Sequence, residues 1–82
     1  MNKDEAREII LVEKLENYNL NENRTNRENE VGLKSVNEKW IVYATDERAS
    51  VVTGSCKEFD SEGDALANFI KRLRADKILR EI

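Results

Sequence analysis

Lys39-Trp40-Ile41-Val42-Tyr43-Ala44-Thr45, followed by Asp46-Glu47-Arg48 and then by Ser50 to Phe59, is the stretch that decides the fold. It reads as a strand, a polar turn and a second strand. It leads without a break into a capped helix that opens at Ser61. The first strand is apolar on both faces, with Trp40, Val42 and Ala44 on one side and Ile41 and Tyr43 on the other. Such a strand lies centrally in a sheet, or turns one face to helices and the other to a partner. Trp40 and Tyr43 point to opposite faces. The reading gives Trp40 to the core and Tyr43 to an exposed position, where aromatic side chains anchor interfaces.

The second strand starts with Val51 and Val52, and Gly54 marks a bulge or bend in it. Lys57 and Glu58 suit an edge strand, because charges there discourage sheet-to-sheet pairing. Cys56 reads as a small buried hydrophobe. Beyond the strand, Ser61 is an N-cap and Asp64 stands at the third helical position, close to a capping box. Glu62 and Asp64 complement the positive helix start. Ala65, Leu66, Phe69, Ile70 and Leu73 recur at helical spacing, and Ile78, Leu79 and Ile82 continue the strip.

Working toward the N-terminus, Glu30 to Val36 reads as a strand with Val31 and Leu33 on one face. Asn37-Glu38 is a two-residue hairpin connection. A first helix starts near Lys3, capped by Asn2 with Glu5 three residues on, and stops by Asn17. Ala6, Ile9, Ile10 and Glu13 share one of its faces. Leu11, Val12 and Leu15 widen the apolar part, so this helix is expected to be well covered. The link between helix and strands is dense in asparagine, which favours turns by bonding to nearby backbone. Within it Tyr18 and Leu20 mark a short strand, and residues 21–29 form a polar loop. The sum is one α+β domain over residues 1–82. It is an antiparallel sheet of three to four strands with an N-terminal and a C-terminal helix packed on one face.

Composition narrows the chemistry. The 82 residues include one cysteine, Cys56, and no histidine. An internal disulfide is therefore impossible, zinc lacks its usual ligands, and the commonest general base is missing. The glycines Gly32, Gly54 and Gly63 form no phosphate-binding loop. Carboxylate pairs such as Glu28 with Glu30 carry no further catalytic signature. No enzyme, cofactor or metal is expected. The N-terminus is polar, and the apolar run Ile9 to Val12 is too short for a secretory core or a membrane span. The expectation is a cytoplasmic protein without a membrane partner.

The net charge of −3 hides an asymmetry: residues 1–70 carry 9 Lys/Arg against 15 Asp/Glu, and residues 71–82 carry 5 against 2. Lys71, Arg72, Arg74, Lys77 and Arg80 offer an alternative reading as a nucleic-acid-binding helix face. The acidic body would repel phosphate, however. A solvated acidic surface is the plain reading of the remainder. A surface for a basic partner, where charge sets the association rate, is the functional one.

Several short motifs together resemble a bacterial family. They are Tyr18-Asn19-Leu20, Trp40-Ile41-Val42-Tyr43, Asp46-Glu47-Arg48-Ala49 and Phe59-Asp60-Ser61-Glu62, with Ala65, Phe69-Ile70 and Leu73 in the closing helix. The chain is similar to the immunity protein 59 family from about Tyr18 to Leu73. Ala49 departs from the pattern, which has glycine after the Glu-Arg pair. The resemblance implies a cytoplasmic antidote that binds and neutralises a cognate toxin domain, without catalytic residues of its own. It does not fix the contact residues. Charge and position nominate Glu28, Glu30, Glu38, Tyr43, Asp46, Glu47 and Arg48 as the partner-binding set. An acidic, asparagine-rich face of this kind suits the basic active site of a nuclease. The free protein is expected to be a monomer or a weak dimer, the latter pairing through the sheet face that bears Ile41 and Tyr43.

Overall fold

Helix α1 (Lys3–Glu13) is started by Asn2, whose side-chain oxygen accepts the Glu5 N–H at 2.8 Å. It stops at Lys14, which takes a left-handed φ of 55°. Helix α2 (Glu62–Arg80) is started in the same way by Ser61, whose hydroxyl accepts the Asp64 N–H at 3.2 Å. Each cap satisfies an amide that the first helical turn leaves unpaired. The structure, a computed structural model, describes residues 1–81.

Between the helices lie β1 (Tyr18–Leu20), β2 (Val31–Val36), β3 (Lys39–Ala44) and β4 (Lys57–Phe59), side by side in that order. Asn37 and Glu38 join β2 to β3 with φ of 49° and 65°, the positive pair that a tight hairpin turn needs. Leu33 pairs with Val42 and Val31 with Ala44 in this hairpin, and Phe59 of β4 pairs with Trp40. The expected α+β order is present, and β3 lies inside the sheet. One detail differs from the antiparallel expectation. β1 pairs parallel to β2, Tyr18 with Val31 and Leu20 with Leu33, so the sheet is mixed. β1 is only three residues long, so the loop of residues 21–30 can carry the chain back to the start of β2 without a crossover helix.

Val31, Leu33, Val42, Leu20 and the half-buried Trp40 turn to the helices and pack with Ala6, Ile10, Leu15, Ala65, Leu66, Phe69, Ile70 and Leu73. The Tyr18 ring meets Phe69 edge-on, with centroids 6.2 Å apart. α2 crosses β2, β3 and β4, and α1 runs beside α2. Met1 lies against Gly63 at the start of α2. Near the other end, Glu13 accepts hydrogen bonds from Arg74 at 2.9 and 2.6 Å, so the two helices point the same way.

Three expectations are corrected. The stretch Ser50–Phe59 is not one strand. Val51 makes a single bridge to Thr45, residues 53–55 form a 3₁₀ turn, and only Lys57–Phe59 is ladder. Ser55 explains the break: its hydroxyl accepts the Ala44 N–H at 2.9 Å and donates to the Val52 carbonyl at 2.6 Å. A side chain thus takes the place of a ladder bond. Because the segment loops out, Cys56 is exposed rather than buried. Finally, the apolar strips are narrower than their sequence suggests. Leu11 and Val12 on α1, and Ile78 and Leu79 on α2, are between 62% and 79% exposed. α2 outlasts the sheet, and its last buried residue is Leu73. Ile82 lies outside the described residues.

Candidate functional site

The nominated residues separate into two ends of the molecule and an interior. Glu38 sits in the β2–β3 turn, next to the Lys39–Asp60 ion pair. Asp46, Glu47 and Arg48 follow the opposite end of β3. The six residues of β3 at about 3.3 Å each put roughly 20 Å between these ends. Glu28 belongs with the Asp46 end. The Asn29 N–H donates to the Asp46 carbonyl at 3.0 Å and joins the asparagine-rich loop to this turn.

Glu30 is not at the surface. It is 3% exposed and forms the hub that orders the loop. Arg24 grips its carboxylate with both terminal nitrogens, at 2.9 and 3.2 Å. The Arg27 N–H adds a third hydrogen bond at 2.8 Å. The Glu30 N–H donates to the Thr45 hydroxyl at 2.8 Å, and that hydroxyl donates to the Arg27 carbonyl at 2.7 Å. Arg24 also donates to the Tyr18 carbonyl at 3.0 Å, which ties the loop to β1. Burial pushes the Glu30 carboxyl up. The Arg24 and Arg27 hydrogen bonds and charges outweigh it and hold the group below the usual carboxylate range.

Tyr43 is not exposed either. It lies on the sheet face away from the helices, 4% exposed, and donates its hydroxyl proton to the Asn26 side chain at 2.8 Å. Burial, and then the nearby Glu30 charge, raise its phenol above the usual value. The loop therefore covers the Tyr43 end of the face expected for dimer pairing, while Lys34 and Val36 on that face stay exposed. Only half-buried Ile41 remains of the two residues named for it.

Asp46 has an internal task. Its carboxylate accepts the Arg48 and Ser50 N–H groups at 2.8 and 3.0 Å and shapes the turn. Ala49 closes that turn with φ of 64°, the left-handed conformation that favours glycine. What remains exposed at this end is Glu28, Glu47 and Arg48. None of the three makes an ion pair among the described residues.

The basic row of α2 is largely neutralised from within. Arg74 pairs with Glu13, Lys77 donates to the Glu13 carbonyl at 2.5 Å, and Arg80 pairs with Glu16 and Asp76. Arg72 is half-buried. Lys71 is the member of the row that stays exposed without an ion pair among the described residues.

Next to the acidic end an open cleft of about 750 Å³ runs between α1, β1 and the loop. Leu15, Tyr18 and Leu20 line its apolar part, and Arg7, Arg24, Arg27, Glu16, Glu22, Glu28 and Glu30 its polar part. Sequence reading did not single out Arg7 or Arg27. The cleft is assembled from segments between residues 7 and 30 that meet only in the fold, and no periodic pattern marks it.

No group of histidine, cysteine or carboxylate side chains suited to a metal ion occurs among the described residues, and no helix is long and apolar enough to cross a membrane. No curated protein and no solved structure matches the chain. A family model does match, over residues 5–81. Taken with the two-helix, four-strand fold, that match places nearly the whole chain in the immunity protein 59 family, the immunity half of a toxin–immunity system.

Proposed function

We propose that this protein binds one cognate toxin domain in the cytoplasm and silences it by covering its working surface, without chemistry of its own. The observation that carries the reading is the family match over residues 5–81. The free charge on the surface supports it. Many of the carboxylates near the loop end are committed internally, Glu30 to Arg24, Glu13 to Arg74 and Glu16 to Arg80. Glu28, Glu47 and Arg48 are not, and they lie on a loop and a turn that the Asn29–Asp46 hydrogen bond joins and internal hydrogen bonds hold in place. A preformed surface of this kind binds without a large ordering cost. The acidic balance of residues 1–70, 9 Lys/Arg against 15 Asp/Glu, speeds encounter with a basic partner.

A nuclease fits this surface best, because a phosphate-binding active site is basic. Occlusion would be steric and electrostatic, with a 1:1 complex of nanomolar or tighter affinity. The partner-binding set is then Glu28, Glu47 and Arg48, with Asp46 holding the turn. Glu30 and Tyr43 support it from below. Free protein is monomeric on this reading, because the loop buries Tyr43, the larger of the two side chains named for pairing.

Co-expression with the toxin domain encoded at the same locus tests the proposal. Cells producing both proteins should grow as well as cells producing neither. Death of the doubly expressing cells, with this protein abundant and folded, would refute it.

A further inference from the structure

The chain from Asn21 to Asn29 holds no apolar side chain, so burial of hydrocarbon does not order it. Hydrogen bonds do. The Asn21 N–H donates to the Leu33 carbonyl at 2.7 Å, the Glu22 N–H to the Asn19 side chain at 2.8 Å, and the Asn29 N–H to the Asp46 carbonyl at 3.0 Å. Between these points Arg24 and the Arg27 N–H hold Glu30, and the Asn26 side chain accepts the Tyr43 hydroxyl. The Arg27 carbonyl accepts from Thr45. The loop is thus pinned at Asn21, Glu22, Arg24, Asn26, Arg27 and Asn29, with no more than one residue between successive pins.

The pins leave a second set of side chains free. Asn23, Thr25, Arg27 and Glu28 are exposed, and none of these side chains has a hydrogen bond or an ion pair among the described residues. Pinning this loop is a poor route to stability. A hydrogen bond returns about 0.5–1.5 kcal/mol net, and each ordered residue costs about 1–2 kcal/mol of backbone entropy. A buried ion pair such as Arg24–Glu30 is weak support by itself. What the network does secure is one geometry for the side chains it displays. Those are an amide, a hydroxyl, a guanidinium and a carboxylate, a set for directional hydrogen bonding with no surplus charge. They offer no apolar surface to a lipid, and Glu28 disfavours phosphate. Fixed polar groups of this kind match fixed polar groups on a folded protein.

We infer that this loop distinguishes the cognate toxin from others, with Asn23, Thr25 and Arg27 as specificity-determining residues beside Glu28. For the identity of the partner this rests on the toxin-binding reading. Charge sets how fast the two proteins meet, and the loop sets how long they stay together. A noncognate toxin of the same charge leaves these polar groups buried and unpaired, and is rejected for that reason.

Two variants of the full chain, with the purified toxin domain from the same locus as probe, test this. N23A/T25A/R27A removes the displayed groups but keeps Glu28, Glu47 and every pin. It should weaken the complex by about a hundredfold, mainly through faster dissociation. N23E/E28N moves one carboxylate along the loop at constant net charge. It should weaken the complex by about tenfold, the scale of one charged hydrogen bond. The replaced side chains have no internal partner, so circular dichroism of both variants should overlay the parent's. Surface plasmon resonance gives both rates. Folded N23A/T25A/R27A that dissociates as slowly as the parent would overturn the inference, and so would N23E/E28N of parental affinity, because net charge alone would then be read. In either case the parent still captures the toxin and the toxin-binding reading stands. A parent that fails to bind the toxin overturns both.

Discussion

The ring of Tyr43 occupies the space that a side chain at position 32 would fill: the two residues are paired across β2 and β3, and a methyl group on Gly32 would overlap the phenol. Gly32 is thus required by close approach and not by a turn. Replacing it with alanine must push the ring out of its place under Asn26. Gly32→Ala should lower stability by about 1–3 kcal/mol, the range for overpacking a filled site. In a Tyr43→Ala background the obstacle is gone, and the same change should cost much less. Urea denaturation of the four proteins measures both. Equal losses in both backgrounds would show that the ring is not what excludes a side chain.

The Glu30–Arg24 pair should carry the order of the loop. Glu30→Ala leaves Arg24 without its main acceptor, and breaking a buried pair costs several kcal/mol. Arg24 keeps a side-chain exposure of 20%, so a loss of about 2–3 kcal/mol is expected. Amides of residues 22–29 should exchange faster with solvent. A stability loss with unchanged loop exchange would separate the pair from loop ordering.

The same pair predicts a pH dependence. The folded carboxyl of Glu30 is held below its ordinary value, so its contribution is full above the unfolded pKa of about 4.3. It fades as pH falls through the lower folded value. The stability gap between the parent and Glu30→Gln should therefore be constant near neutrality and shrink below about pH 4. A gap that stays constant down to pH 3 would contradict the assignment.

Ala49 holds a left-handed φ of 64° without glycine's freedom. Left-handed backbone costs an ordinary residue about 1–2 kcal/mol, and glycine's added chain entropy takes back part of the gain. Ala49→Gly should thus stabilise the protein by about 0.5–1 kcal/mol and raise its melting temperature. A neutral or negative effect would place the strain elsewhere.

Much of the fold was legible because its signals are local. Asn2 with Glu5 and Ser61 with Asp64 are caps whose partners lie three residues away. The β2–β3 hairpin needs only the two-residue gap at Asn37-Glu38. The apolar strip from Ala65 to Leu73 follows directly from helical spacing. What escaped the sequence depends on the path of the chain. Glu30 looks like any loop carboxylate until Arg24 folds back on it. Ser55 ends a strand by a side-chain bond that no propensity records, and Cys56 is exposed as a consequence. For Tyr43, alternation gives the face but not what covers it, and Asn26 reaches it only through the loop. The density of asparagine does have a physical reading in the structure. Asn17, Asn21, Asn29 and Asn37 all hold positive φ, and each sits at a strand end or in a turn.

The exposed carboxylates should govern encounter. Glu28→Lys with Glu47→Lys should slow association with the cognate toxin by about tenfold at low salt, the lower end of electrostatic steering. It should also flatten the salt dependence of the rate and leave the stability of the free protein nearly unchanged. Stopped-flow mixing measures the rate. An association rate equal to the parent's at every ionic strength would remove these residues from the surface.

The central claim is that this molecule acts by stoichiometric capture of another protein. A titration of the purified toxin domain from the same locus, with its activity read at each addition, tests that claim most directly. The account predicts a linear fall to complete inhibition at one equivalent. Toxin activity that persists undiminished with the protein in large excess would contradict it.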